Sequence, residues 1–268
     1  MTHSSSNGAV VLVGCGRLGS AILEGWLATR TVAPADLIIL TPSDKPAADA
    51  AREQGARVNP DAPALIGARV LVLAVKPAYW REAMDPLLAA LPPDTPIISV
   101  MAGVKAGDIA AVAGRPVVRV MPTTAVAQAR GVAALWSADA DAREAGRGLF
   151  GSIADVVDLD SEALMDAATA VAGSAPAFVY AFGQALARAG EGQGLSTEAA
   201  QRLARGALRS AGAGAETGAT LADLTARIAS PGGTTRAGLD AMEAAGDLDR
   251  AAEAAVEAAV QRAREISG

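Results

Sequence analysis

The chain has 268 residues, of which 51% are hydrophobic and 19% charged, and it carries a net charge of −6. That length admits two domains with ample core, and the acidic balance argues against a general nucleic-acid binder, which needs a basic surface to displace counterions from phosphates. The only histidine is His3 and the only cysteine Cys15, which excludes a histidine-dependent triad, a zinc site built from His and Cys, and an intrachain disulfide.

In chain order, a polar, Ser-rich tail holding His3 is expected to be disordered. From Ala9 to about Asp160, short apolar runs alternate with segments of helical composition. The runs Ala9–Val13, Leu37–Leu40, Val70–Val75, Ile97–Val100 and Val117–Val120 are continuous and β-branched, as suits strands buried on both faces of a parallel sheet. Between them, Leu18–Ala28, Lys45–Gln54, Trp80–Leu91 and Ala106–Val112 read as helices. Val132–Trp136 and Val156–Leu159 are expected as edge strands around a helix at Asp141–Ile153. The alternation predicts an α/β domain over residues 1–160, a Rossmann-like, doubly wound parallel sheet.

After Ser161 alanine dominates and apolar residues such as Leu164, Ala168 and Val171 recur at helical spacing, predicting an all-helical domain over residues 161–268. Its pieces are Glu162 to about Ala189, bent near Pro176, then Thr197 to about Thr217, Leu221–Ala229, Thr235–Ala245 and Leu248–Ile266. So many small residues with few large ones favour an interlocked dimer over a core closed within one chain. No apolar stretch is expected to reach the roughly 18 residues that span a bilayer. With no basic leader running into an apolar segment, a cytoplasmic location is expected.

Gly14-Cys15-Gly16-Arg17-Leu18-Gly19 follows the first strand and opens the first helix. In the G-x-G-x-x-G pattern the first glycine makes the tight turn, the second admits a pyrophosphate, and the third lets helix and strand pack closely. A fortuitous Gly-rich turn is the competing reading. The second predicted strand ends Leu40-Thr41-Pro42-Ser43-Asp44-Lys45, without a carboxylate at its first positions. Thr41, Ser43 and Lys45 would suit a 2′-phosphate and favour NADPH, with NADH left open by Asp44; an ordinary solvated loop explains the same residues. Val75-Lys76-Pro77 falls at the carboxyl edge of the sheet, so Lys76 either contacts cofactor or substrate or is a plain strand-end lysine. Met121-Pro122-Thr123-Thr124 ends a later strand at that edge, or is simply a turn.

Ser230-Pro231-Gly232-Gly233-Thr234-Thr235 interrupts a helical stretch with three consecutive breakers. Pro231 biases Ser230 out of the α region, and the glycines allow positive φ and close approach to a ligand. Amides at the helix start that follows favour an anion, so a carboxylate or phosphate cradle competes with a bare helix–helix turn.

Together, the Gly-loop, Leu73-Ala74-Val75-Lys76-Pro77, Arg119-Val120-Met121-Pro122-Thr123-Thr124, Gly173-Ser174-Ala175-Pro176-Ala177-Phe178 and Ser230-Pro231-Gly232-Gly233-Thr234-Thr235 closely resemble the pyrroline-5-carboxylate reductase family. The resemblance runs in order from about Ala9 to the C-terminus, and the Ser-Pro-Gly-Gly-x-Thr element is its specific part. It implies reduction of the cyclic imine 1-pyrroline-5-carboxylate to L-proline, the last step of proline synthesis. It implies a cofactor held by Gly14, Gly16, Arg17, Leu18, Gly19, Thr41, Ser43, Asn59, Ala74, Val75, Lys76, Pro77, Ala102, Gly103 and Thr123. It implies substrate bound by Ser230, Gly232, Gly233, Thr234, Thr235 and Lys76, with the Thr235 hydroxyl on the ring nitrogen. A homodimer or larger ring of dimers is implied, with both subunits shaping the site. Thr123 stands where the family usually has Asn, and Arg17 where Asn or Gln is common. A β-hydroxyacid dehydrogenase would need a lysine in its helical domain, and none follows Lys105. A reductase of a different cyclic imino acid and an inactive dinucleotide-binding protein are the remaining alternatives.

Overall fold

The computed structural model describes residues 8–267, with side chains described through Glu265; His3 and the Ser-rich tail lie outside the described residues. In chain order the first part comprises β1 (Ala9–Val13), α1 (Arg17–Thr29), β2 (Leu37–Leu40), α2 (Pro46–Glu53), β3 (Arg57–Val58), β4 (Ala68–Leu73), α3 (Trp80–Leu88), β5 (Ile97–Ser99), α4 (Ala106–Ala113), β6 (Val117–Pro122), β7 (Gly131–Trp136), α5 (Ala140–Phe150) and β8 (Ala154–Asp158). The eight strands form one sheet in the order β3-β2-β1-β4-β5-β6-β7-β8. Every pairing is parallel except β6 with β7.

The β-branched runs become central strands because both faces of the sheet are covered. Val10 and Leu12 of β1, Leu37 and Ile39 of β2, and Val70 and Val72 of β4 point into one apolar cluster with α1, α2 and α5. The alternate residues Val11, Ile38, Leu71 and Leu73 enter a second cluster with Trp80 and Met84 of α3 and Ile109 of α4. This period-2 division is what a doubly wound sheet requires. On the first face Trp26 of α1 donates its indole N–H to the Leu149 carbonyl at 2.7 Å, and its ring meets Phe150 edge-on at 6.2 Å between centroids. Chain order reverses between β1 and β4, which puts the topological switch point at their carboxyl ends.

Three details depart from the sequence reading. Val132–Trp136 is not at an edge, because β7 sits between β6 and β8 and β8 ends the sheet on that side. The two-residue β3, too short for any hydropathy pattern, forms the other edge. Val70–Val75 is displaced, since β4 starts at Ala68 and stops at Leu73, leaving Ala74–Lys76 as exit loop.

The later elements are α6 (Met165–Ala168), a π-helical segment at Thr169–Ser174, α7 (Ala175–Gly192), α8 (Thr197–Ala215), α9 (Leu221–Ile228), α10 (Thr234–Ala245) and α11 (Asp247–Ser267). Where a bend near Pro176 was expected, the helix takes π geometry just before the proline. Pro176 has no N–H for the carbonyl one turn back, and widening the preceding turns accommodates it within the first turn of α7. Two compact units result, one reaching Gly173 and taking in Val260 onward, the other spanning Ser174–Ala259. Within the second unit α7 packs along α8, with Gly183 set against Leu208 and Gly190 against Leu195. Only Gly183, Ala187 and Ala200 are buried there, while Val179, Tyr180, Phe182, Leu186 and Leu203 are exposed. One helical stretch, Glu162–Gly192, is long and apolar enough by length and composition to cross a bilayer. This corrects the expectation of none; its many alanines, with Val171, Phe178, Val179, Phe182 and Leu186, supply the apolarity that a search for β-branched runs overlooks.

Candidate active site

One candidate site lies over the switch point, within the first unit. Gly14 leaves β1 with φ +96°, and a Cβ there would stand 2.6 Å from the Ala74 carbonyl oxygen at the end of β4. Only glycine fits that turn. Gly19, in the first turns of α1, approaches so closely that a Cβ would sit 2.1 Å from the Gly14 carbonyl oxygen. Gly16 differs from both, since it has ordinary extended backbone and its Cβ position faces open space with nothing within 4 Å. It is the N-cap of α1 and no side chain caps that helix, so the first-turn amides and the positive end of the helix dipole face this space. Gly14 and Gly19 thus take the tight geometry expected of their places in the pattern, and Gly16 leaves open space. The residues present fit a pyrophosphate.

A cleft of about 750 Å³ opens beside the loop. Of the residues expected to hold a cofactor, it brings together Gly14, Gly16, Thr41, Ser43, Asn59, Ala74, Val75 and Lys76. Arg17, Leu18 and Gly19 continue into α1, and Pro77 opens a short 3₁₀ turn. Ala102, Gly103 and Thr123 are not on the cleft wall; they lie on the loops leaving β5 and β6, where Ala102 packs against the cluster around Met121. Tyr79, Glu82 and Leu87 also line the cleft. The sequence reading missed these three, because their helical spacing explains them equally well as packing residues.

Asn59 is held in the left-handed region at φ 49°. Its Oδ1 accepts from the Thr41 N–H and its Nδ2 donates to the Thr41 carbonyl, both at 2.9 Å. The side chain therefore braces the start of the loop that holds Ser43 and Lys45, while Thr41 Oγ1 donates to the Ser43 carbonyl at 3.1 Å. Thr123 is 9% exposed, and its hydroxyl accepts from the Val132 N–H at 3.3 Å. It thus ties the end of β6 to β7. Cys15 is 2% exposed with its thiol 3.4 Å from the Ser20 hydroxyl, consistent with a small packing residue.

A second candidate feature belongs to the other unit. Ser230, Pro231, Gly232 and Gly233 form a tight turn closed by a 3.0 Å bond from the Gly233 N–H to the Ser230 carbonyl. Proline at the second position and glycine at the third with φ +72° give the type II pattern. Gly233 then becomes the N-cap of α10 without any side-chain cap. A Cβ on Gly233 would meet the Ser230 hydroxyl at 2.6 Å and the Ser230 carbonyl oxygen at 3.1 Å, so the turn is tight here, although the serine side chain can rotate away. Thr234 and Thr235 are exposed in the first turn of α10. Arg236, next in sequence, is engaged elsewhere, donating to Asp240 at 2.7 Å and Glu243 at 2.8 Å. Those hydrogen bonds, to Glu243 first, hold its pKa above the usual guanidinium value. What remains at the bend is a helix start with no side-chain cap, beside two exposed hydroxyls. Among the described residues no cluster of His, Cys, Asp and Glu could hold a metal ion.

A doubly wound sheet with a Gly-loop at its switch point, followed by a helical unit in which a glycine turn opens a helix, is the plan of a two-domain nucleotide-dependent oxidoreductase. Residues 9–103 match the family model described as NADP oxidoreductase, coenzyme F420-dependent, and residues 162–266 match that described as pyrroline-5-carboxylate reductase dimerisation. Among curated proteins, the pyrroline-5-carboxylate reductase of Pseudomonas aeruginosa is 34% identical over 266 residues, covering 96% of both chains. That of Thermus thermophilus is 35% identical, covering 96% of this chain and 98% of its own. A solved pyrroline-5-carboxylate reductase from Coxiella burnetii superposes with TM-score 0.88 at 27% identity, covering 98% of this chain and all of its own. The chain belongs to the pyrroline-5-carboxylate reductase family.

Proposed function

We propose that this protein reduces 1-pyrroline-5-carboxylate to L-proline with NADPH, the last step of proline biosynthesis. Full-length relatives of this activity support the reaction, and the observation within the structure that carries it is the glycine turn opening α10 without a side-chain cap. A small acid matches that turn, with its carboxylate against the N–H groups of Gly232, Thr234 and Thr235, because the Ser230 and Gly233 N–H groups are engaged by the Ile228 and Ser230 carbonyls and Pro231 has none. Thr235 is then one turn-position further on, where its hydroxyl bonds the ring nitrogen. Lys76 adds a positive charge beside the carboxylate or the cofactor. The site's chemistry is mostly positioning, since a substrate arriving as iminium needs no strong general acid. That suits a chain whose one histidine is His3.

NADPH supplies the hydride when bound. Gly14, Gly16, Arg17, Leu18 and Gly19 would hold its pyrophosphate, and Thr41 and Ser43, braced by Asn59, its adenosine end. With that end over the β2 loop, the nicotinamide falls on the other side of the switch point, over the loops of Ala74–Pro77, Ala102–Gly103 and Thr123. A crystal structure of the Plasmodium falciparum reductase with NADP bound shares the fold at TM-score 0.78.

The exposed apolar side chains of α7 and α8 fit burial against a second copy, which also accounts for the apolar stretch Glu162–Gly192 without a membrane. A homodimer or a ring of dimers, a division of the chain at residues 160/161, a cytoplasmic location and partners limited to a small imino acid complete the reading; neither nucleic acid nor membrane is among them. The test is spectrophotometric loss of NADPH with pyrroline-5-carboxylate, run beside NADH, the six-membered cyclic imine and a 3-hydroxy acid with NADP⁺. Imine-dependent oxidation supports the reading. Turnover of the hydroxy acid alone, or cofactor binding with no turnover of any substrate, refutes it.

A further inference from the structure

Arg119 is a charge where the sheet offers none a solvated place. It lies on β6 beside Ser99 of β5 and Trp136 of β7, is 4% exposed, and shares its face of the strand with Val117 and Met121, both in apolar clusters. Its Nε has no hydrogen-bond partner among the described residues. Its two terminal nitrogens do: Nη1 donates to Glu162 Oε1 at 3.2 Å and Nη2 to the Met101 carbonyl at 3.4 Å. The same Glu162 oxygen accepts the Ala106 N–H at 2.7 Å, capping α4, whose own N-cap Lys105 contributes no side-chain bond.

These bonds converge on one short loop. Met101 begins it and Ala106 follows its last residue, so a single ion pair grips both ends of Met101–Lys105. The tip between them is Ala102 and Gly103, the latter at φ +80°. Alanine and glycine give a ligand only main-chain atoms and a methyl, so the placement of this tip must be imposed from behind. With Arg119 buried and Glu162 half-buried, the pair is a poor device for stability, because replacing a desolvated ion pair with apolar residues of similar volume is often neutral or favourable. It is a good device for fixing geometry.

We infer that Arg119 and Glu162 are positioning residues for the reduction, holding the Ala102–Gly103 tip in the place that seats the nicotinamide end of the cofactor. The inference rests on the reductase reading for its kinetic consequence, but not for its structural one. Neither residue touches the reacting atoms. Each acts through the loop, and Glu162 does so from the first residue matched by the dimerisation model.

The test compares Arg119→Met/Glu162→Met with Glu162→Gln in the full chain. The double variant strands no charge, so its melting temperature should stay near wild type. Its kcat should nevertheless fall by about tenfold or more, the scale expected when a catalytic element is misplaced by a fraction of an ångström. NADPH affinity, set by the Gly-loop, should change by less than about threefold. Hydrogen exchange at the amides of residues 102–106 should quicken in both variants. A double variant with wild-type melting, wild-type kcat and unchanged exchange would show the pair to be structural only and overturn the inference. If wild type itself fails to reduce the imine, the reductase reading falls while the exchange measurement still judges the clasp. Should the double variant not fold, Glu162→Gln decides alone: quickened exchange with lowered kcat supports the inference, and neither change refutes it.

Discussion

Replacing Gly16 by alanine separates cofactor binding from folding. The residue has φ −76° and ψ −163°, a conformation alanine adopts freely, and nothing lies within 4 Å of the added methyl. In the free protein two small effects oppose each other. Alanine restricts the unfolded chain, which stabilises by about 0.4–1 kcal/mol, but is a poorer N-cap than glycine by roughly 1 kcal/mol. The net change in stability should stay within about 1 kcal/mol. The methyl nevertheless occupies the space over the first-turn amides of α1, where a pyrophosphate must approach the backbone. An overpacked methylene costs about 1–3 kcal/mol, equivalent to roughly a 5- to 150-fold loss of NADPH affinity. Thermal unfolding without cofactor and fluorescence titration with NADPH read the two quantities separately. Wild-type NADPH affinity in Gly16→Ala would refute the assignment of this space to the pyrophosphate; a collapsed melting temperature would refute the account of its backbone.

Gly19→Ala should behave oppositely, because its methyl would meet the Gly14 carbonyl oxygen at 2.1 Å and that atom is backbone. Stability should fall by about 1–3 kcal/mol or more, with NADPH affinity falling alongside, as unfolding and titration will show. Thr235→Ala should lower kcat on the order of a hundredfold while leaving the NADPH dissociation constant within about twofold; normal turnover would remove the hydroxyl's role. Sedimentation at micromolar concentration should find a dimer or larger, since so many apolar side chains of α7 and α8 are exposed in one chain. A monomer would leave that face unexplained.

The sheet was largely legible because its strands are buried on both faces, and a continuous β-branched run suits almost no other environment. The Gly-loop was legible for a similar reason: the tight turn and the close helix–strand approach expected of its first and third glycines recur in the structure at Gly14 and Gly19, while the space beside Gly16 is open. Strand order was not, because hydropathy reports burial and not neighbours, and the antiparallel return that puts β7 inside the sheet depends on the turn after Thr123. The π segment before Pro176 escaped for a local reason, since a proline announces a missing donor without saying which turn absorbs it. The brace from Asn59 to Thr41 spans 18 residues and the clasp from Arg119 to Glu162 spans 43. Such pairings are tertiary, and no periodicity in either segment reports the other. The turn at Ser230–Gly233 was the exception, as Pro-Gly-Gly within a helical stretch leaves a type II turn as the natural conformation.

The central claim is that backbone amides at the start of α10 hold the acid group of the imine's product. A crystal structure with L-proline bound should place its carboxylate against the amides between Gly232 and Thr235, with the ring nitrogen within hydrogen-bonding reach of the Thr235 hydroxyl. A carboxylate held instead by an arginine or lysine side chain, away from the glycine turn, would contradict it.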